Sequence, residues 1–236
     1  GKKSVLFIRV DFSDREGNPL NDKAAKFEMD RTDEFLRDNS YGKLSIETTI
    51  VPGAMRMPEP VEWYQADPEE RRYDLLVSAR DAARKLDAKY NYREYDFYIV
   101  AFTTIFEGWA GRAYVNNTGL WINGGFSNDT IQHELGHNLG LRHGGDENRN
   151  YKPNYNSIMS YKYQFGGVDD DCDAEPDEVV NYSEGERPDL DENSLNESHG
   201  VCGEDEDVGI DWNEDGDTDD GDTDDANAEA AVDRRQ

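Results

Sequence analysis

The chain has 236 residues and a formal net charge of −28, from 53 acidic and 25 basic side chains. That length allows one sizeable domain or a domain with a tail, and so acidic a chain is expected to repel nucleic acid and anionic membrane. It contains no apolar run of the roughly eighteen residues that a membrane span needs.

The charge is uneven. Residues 1–168 hold 25 acidic and 22 basic side chains, and residues 169–236 hold 28 acidic and 3 basic. The expected organisation is a near-neutral folded core over 1–168 and an acidic C-terminal segment over 169–236. Ser4–Phe12 is rich in β-branched and aromatic residues and reads as a buried strand. Asn21–Asn39 spaces Ala24, Phe27, Phe35 and Leu36 as a helix does, and Gly42 ends that unit. Lys43–Val51 alternates like a strand, and Pro52–Pro60 reads as a loop. Asp67-Pro68 has the form of an N-cap followed by proline, opening a helix to about Leu86. Asp96–Phe102 is a further strand. Gly111–Val115 and Leu120–Asn123 read as two short strands joined through Asn116–Gly119. Ser127 or Asn128 caps a helix running to about Leu139. The order is β-α-β-α-β-β-β-α, followed by an irregular half.

That last helix carries the sequence His133-Glu134-Leu135-Gly136-His137-Asn138-Leu139-Gly140-Leu141-Arg142-His143, so three of the four histidines fall within eleven residues. Helical periodicity puts His133 and His137 on one face, where they can grip a single metal ion. Gly140 can take a positive φ at no steric cost, which lets the helix stop and the chain bring His143 back. Three neutral imidazoles with one open position suit a catalytic zinc rather than a closed structural one. Glu134, next to the first ligand, is placed to reach a water on that metal. Downstream, Ser157-Ile158-Met159-Ser160-Tyr161 forms a second candidate element, although Met159 by itself reads as an ordinary core residue.

The pattern H-E-x-x-H-x-x-G-x-x-H together with this Ser-Ile-Met-Ser-Tyr turn resembles the metzincin zinc peptidases. Looser features over about residues 4–168, among them Ser40-Tyr41-Gly42-Lys43-Leu44 and Trp109–Val115 before Trp121-Ile122-Asn123, resemble the gametolysin-type members. The Met-x-Tyr turn is instead similar to the serralysin and astacin groups. The resemblance implies an α+β fold: a twisted, mostly parallel sheet with an antiparallel edge strand, a backing helix and an active-site helix, and an irregular C-terminal subdomain. It implies Met159 as an apolar floor beneath the histidines, and an edge strand, here Gly111–Val115, that pairs with extended substrate. It also implies zinc-dependent endopeptidase activity on protein or peptide substrates, with Glu134 moving the proton. Two readings of Tyr161 stand, a further group at the metal or a tyrosine packed beside the cleft.

The acidic segment carries its own signals. Asp211-Trp212-Asn213-Glu214-Asp215-Gly216-Asp217 fits the D-x-[DN]-x-[DN]-G calcium loop, with Asp222 where an EF-hand has glutamate. Calcium held by Asp211, Asn213, Asp215, Asp217 and Asp222 is therefore expected, against the alternative of a solvated acidic run. Cys172 and Cys202 are the two cysteines. A disulfide between them suits a secreted protein and would staple a segment with little core of its own. The remaining histidine, His199, reads as a surface residue. The chain enters its first strand directly after Gly1-Lys2-Lys3, so any secretory leader is expected to have been removed, and a monomer is expected. The competing readings are a zinc hydrolase of non-peptide amides and a calcium-dependent binding protein with a non-catalytic zinc site.

Overall fold

The computed structural model describes residues 1–152, 154–170, 176–185, 187, 201, 202 and 209. The chain divides into two compact units, Gly1–Gly140 and Leu141–Gln236.

The first unit is α+β. Its elements are β1 (Lys2–Asp11), α1 (Asp22–Asn39), β2 (Ser45–Arg56), α2 (Val61–Ala66), α3 (Pro68–Leu86), β3 (Phe97–Phe102), β4 (Gly111–Ala113), β5 (Gly119–Asn123) and α4 (Asn128–Asn138). The five strands form one sheet in the order β2-β1-β3-β5-β4. β1 pairs in parallel with β2 and β3, and β3 with β5, while β4 is an antiparallel edge.

The sheet is covered on both faces, which is why β1 reads as a continuous apolar run rather than an alternating one. On one face Leu6, Ile8, Val10 and Phe12 join Tyr98, Val100, Phe102 and Trp121 and meet Leu75, Leu76, Ala79 and Ala83 of α3 in one core. Each Val, Leu, Ile or Phe side chain among them contributes about 1.5–3 kcal/mol on burial. Alternation turns Val5, Phe7 and Arg9 to the other face. There the fully buried Arg9 donates to the carbonyls of Leu20 (2.8 Å) and Val51 (2.6 Å) and pairs with Asp22 at the start of α1.

Caps set the helix starts. Asn21 Oδ1 accepts from the Ala24 N–H at 2.9 Å, and Asp67 caps α3 ahead of Pro68.

Two elements differ from the sequence expectation. β2 does not stop at Val51 but runs to Arg56, through the expected loop. It is an edge strand, where proline is tolerated because its missing N–H faces no partner. Pro52 and Gly53 lie where the register slips, β1 passing from Phe7 to Arg9 while β2 passes from Ile50 to Ala54. Residues 61–66 also form a short helix, α2, with no side-chain cap; burial of Val61 and Tyr64 holds it instead.

The second unit shows neither a helix nor a ladder strand among the described residues. Its described residues form turns and the isolated Arg142–Gly145 and Val168–Val179 bridges. Its anchor is the buried pair Arg187–Asp169 at 2.7 Å, with Asn156 bonding both main-chain groups of Asp169. Cys172, His199 and the expected calcium ligands Asp211, Asn213, Asp215, Asp217 and Asp222 lie outside the described residues, and with Cys172 goes the expected bridge to Cys202. No described helix is long and apolar enough to cross a membrane.

Candidate metal centre

α4 is an unusual helix because its polar residues are inside. Asn128, Thr130, Gln132, His133, Glu134, His137 and Asn138 are all buried. Burying polar groups costs free energy unless each finds a partner, so a helix of this kind is held by specific contacts. At its start Ser127 caps the Thr130 N–H, and Glu28 of α1 accepts the Asn128 N–H at 2.9 Å. At its end Asn138 Nδ2 donates to the carbonyls of Tyr114 (3.1 Å) and Gly119 (3.4 Å), and the Asn116 N–H donates to the His137 carbonyl at 3.0 Å. The β4–β5 hairpin thus clasps the last turn of the helix.

The helix then stops as expected. Gly140 has φ +109, and its N–H donates to the His137 carbonyl at 3.0 Å. A β-carbon there would also meet Asn116 Oδ1 at 2.8 Å. After that turn the chain closes on itself through reciprocal Arg142–Gly145 main-chain bonds, which hold His143.

His133 and His137 stand one helical turn apart with ring centroids 4.8 Å from each other. Each of His133, His137 and His143 offers one nitrogen, and the three nitrogens lie within 4.8 Å of one another. The first two are buried and the third half-buried. These three histidines can hold a metal ion, and an all-imidazole set suits zinc and its first-row neighbours rather than calcium or magnesium.

Glu134 is 4 % exposed, and its Oε2 has no hydrogen-bond partner among the described residues. Burial pushes its carboxyl up to about 8, while the positive charge of Arg112 pulls the other way. Buried polar atoms without a partner are rare, and each calls for a reason. Its side chain lies on Gly111 of the edge strand, where a β-carbon would fall 2.6 Å from Glu134 Cγ.

In the second unit, the Ser157–Tyr161 segment is a turn. The Ser160 N–H donates to the Ser157 carbonyl at 2.9 Å and the Met159 N–H to Ser157 Oγ at 3.1 Å, with Met159 fully buried. Asn150 Oδ1 accepts from the Tyr161 N–H at 2.9 Å. The Tyr161 ring lies 4.4 Å from that of His143, and Tyr151 stands 6.1 Å beyond. Tyr161 is thus half-exposed and beside one of the three histidines that could hold a metal ion.

Sequence reasoning missed Gly111, Glu28 and Asn123. Asn123 is buried and makes four bonds: its Oδ1 accepts from the N–H groups of Ile105 (2.9 Å) and Phe106 (3.3 Å), and its Nδ2 donates to the carbonyls of Phe106 (2.8 Å) and Trp109 (2.7 Å). It fastens the loop that leads into β4. No local pattern marks a strand-end asparagine for that task.

No protein-family model matches this chain. No curated protein matches it either. Eighteen chains of solved structures do match. One, from "Structure of a chaperone-substrate complex", is 19 % identical over 62 % of this chain with a TM-score of 0.35. The chain spans 25 % of the length of that solved chain. A likeness at that TM-score carries no argument about fold or function.

Proposed function

We propose that this protein is a secreted zinc endopeptidase. The observation that carries the reading is the histidine triad with the buried Glu134 carboxyl one residue from its first member, its Oε2 without a hydrogen-bond partner among the described residues. A zinc ion held by His133, His137 and His143 supplies a Lewis acid that acidifies water and polarises a carbonyl.

The remaining chemistry belongs to the chain's own residues. In its ionised form, favoured by the positive charge of a bound zinc and of Arg112, Glu134 takes through Oε2 the proton of the attacking water and passes it to the leaving amine. The walls that bury Glu134 exclude other water, so the proton stays with the reacting groups. The approach of Tyr161 to His143 supports a role for its hydroxyl in donating to the oxygen that gains charge. An extended peptide adds to the open edge of β4, beside Gly111 and Glu134. A zinc site with no catalytic task has no use for a desolvated carboxylate at its edge, and this favours hydrolysis over the binding-protein reading. Calcium at Asp211, Asn213, Asp215, Asp217 and Asp222 rests on the sequence alone, and calorimetric titration of the full chain tests it.

The deciding experiment digests an unfolded protein with the zinc-loaded chain. Cleavage is expected, is lost to a chelator, returns with zinc, and is absent in Glu134→Ala although that variant keeps its metal. Digestion by Glu134→Ala at the wild-type rate overturns the assignment.

A further inference from the structure

The register of the edge strand carries a consequence for substrate choice. In an antiparallel ladder, residues alternate between those whose main-chain groups bond the neighbour and those whose groups point away. The Asn123 N–H donates to the Ala110 carbonyl at 2.7 Å, and the pairing continues as Gly111↔Ile122, Arg112↔Trp121 and Ala113↔Leu120. Ala110 and Arg112 therefore turn their main-chain groups to β5. Gly111 and Ala113 turn theirs to the open edge, where no further strand lies among the described residues. A peptide that adds antiparallel to this edge bonds Gly111 and Ala113. Its residue opposite Arg112 forms a non-hydrogen-bonded pair, the arrangement that brings facing side chains closest, with Cα atoms about 4.5 Å apart.

Arg112 is suited to read that residue. It shares a sheet face with Trp121, its partner in the register, and with the α3 core to which Trp121 belongs. Its side chain is 46 % exposed, and its guanidinium lies 5.9 Å from the Trp109 ring centroid. Glu69 approaches Arg112 at 3.5 Å, but both Glu69 oxygens already accept from Arg72, at 3.3 and 3.1 Å. Two guanidinium groups thus share the Glu69 carboxylate, so Arg112 has no carboxylate to itself in that cluster. A planar guanidinium in that position matches an incoming carboxylate.

Resting on the peptidase reading, we infer that Arg112 is a specificity-determining residue: it selects substrates with a glutamate or aspartate at the position that pairs with it across the edge of β4.

The test uses the zinc-loaded full chain and pairs of extended fluorogenic peptides that differ only by Glu or Lys at one position, scanned along the peptide. The wild type is expected to favour Glu at one position by about fivefold in kcat/KM, as a directly opposed cross-strand charge pair would give. Arg112→Gln flattens that preference and Arg112→Glu reverses it, both with unchanged circular dichroism. Equal cleavage of every Glu and Lys pair by the wild type, or a preference that survives in Arg112→Glu, overturns the inference. A second arm measures binding of the same peptides to Glu134→Gln by fluorescence anisotropy. If the wild type cleaves nothing while Arg112 still sets a Glu-over-Lys binding preference, the peptidase reading falls and the edge assignment stands. Equal binding in that arm overturns the edge assignment as well.

Discussion

Glu134 rests its side chain on the bare backbone of Gly111: a β-carbon at position 111 would lie 2.6 Å from Glu134 Cγ and 2.7 Å from its Oε1. The helix that bears the candidate catalytic carboxylate and the strand that would receive a peptide are therefore in contact at a residue without a side chain. The position of the carboxylate depends on that absence.

Gly111→Ala follows directly. The added methyl also meets Thr130 Cγ2 at 2.8 Å, so it cannot be accommodated by a shift of Glu134 alone. Overpacking of this sort costs about 1–3 kcal/mol, and a displaced general base costs about a hundredfold in rate. Zinc content should hold, because no histidine is touched. Steady-state kinetics and a thermal melt check both halves, and a fully active Gly111→Ala would show that Glu134 does not work from this position.

The histidines make a separable prediction. Changing His133, His137 or His143 to Ala should each lower zinc affinity by at least about a hundredfold, since even supporting residues around a metal cost tenfold or more. Zinc measured by atomic spectroscopy should fall from one ion per chain to a trace. Retention of full zinc by any one of the three variants would remove that histidine from the site.

Asn123→Ala should destabilise more than an ordinary surface change. Two N–H groups and two carbonyls of the loop before β4 would lose their partner inside the fold. Buried groups left unsatisfied cost about 1–3 kcal/mol each, eased where water enters, so a loss of about 2–4 kcal/mol is expected. Urea unfolding measures it, and a change below about 0.5 kcal/mol would mean that the loop does not depend on Asn123.

Acid should weaken the fold partly through Asp96. Its carboxylate accepts from Lys3 Nζ (2.8 Å), the Ser4 N–H (2.8 Å) and Ser4 Oγ (3.1 Å), with the Lys3 bond the main reason its pKa lies below the usual value. A carboxyl with a depressed folded-state pKa stabilises fully above its unfolded value near 4. That stabilisation is lost as the pH falls through the lower folded value. The side chain is 34 % exposed, so solvent screening limits the effect to about 1 kcal/mol. Asp96→Asn should thus be less stable than wild type at pH 7, with a deficit that shrinks as the pH falls below about 4. An Asp96→Asn deficit that persists undiminished in acid would point to packing rather than charge.

Much of the candidate site was legible because its parts are close in sequence. A helical repeat sets the four-residue spacing of His133 and His137, and the left-handed conformation open to glycine sets the turn at Gly140. Both are local effects of backbone geometry. The strand and helix order was legible for a similar reason, since burial writes its period into neighbouring residues. The run of β2 past Pro52 was not, because whether a proline interrupts a strand depends on whether that strand is an edge.

By itself the sequence determined which histidines come together, where the helix bearing the first two starts and stops, and how unevenly the charge is spread along the chain. Only the tertiary structure decided that Gly111 makes room for Glu134, that Glu28 meets the start of α4, that Asn123 fastens the loop into the edge strand, and that Arg112 lies half-exposed beside Trp109 and Glu69 on the strand that ends the sheet among the described residues. Those relationships join residues brought together by sheet register and helix packing. No local spacing encodes them, because they exist only once the sheet has set which residues become neighbours.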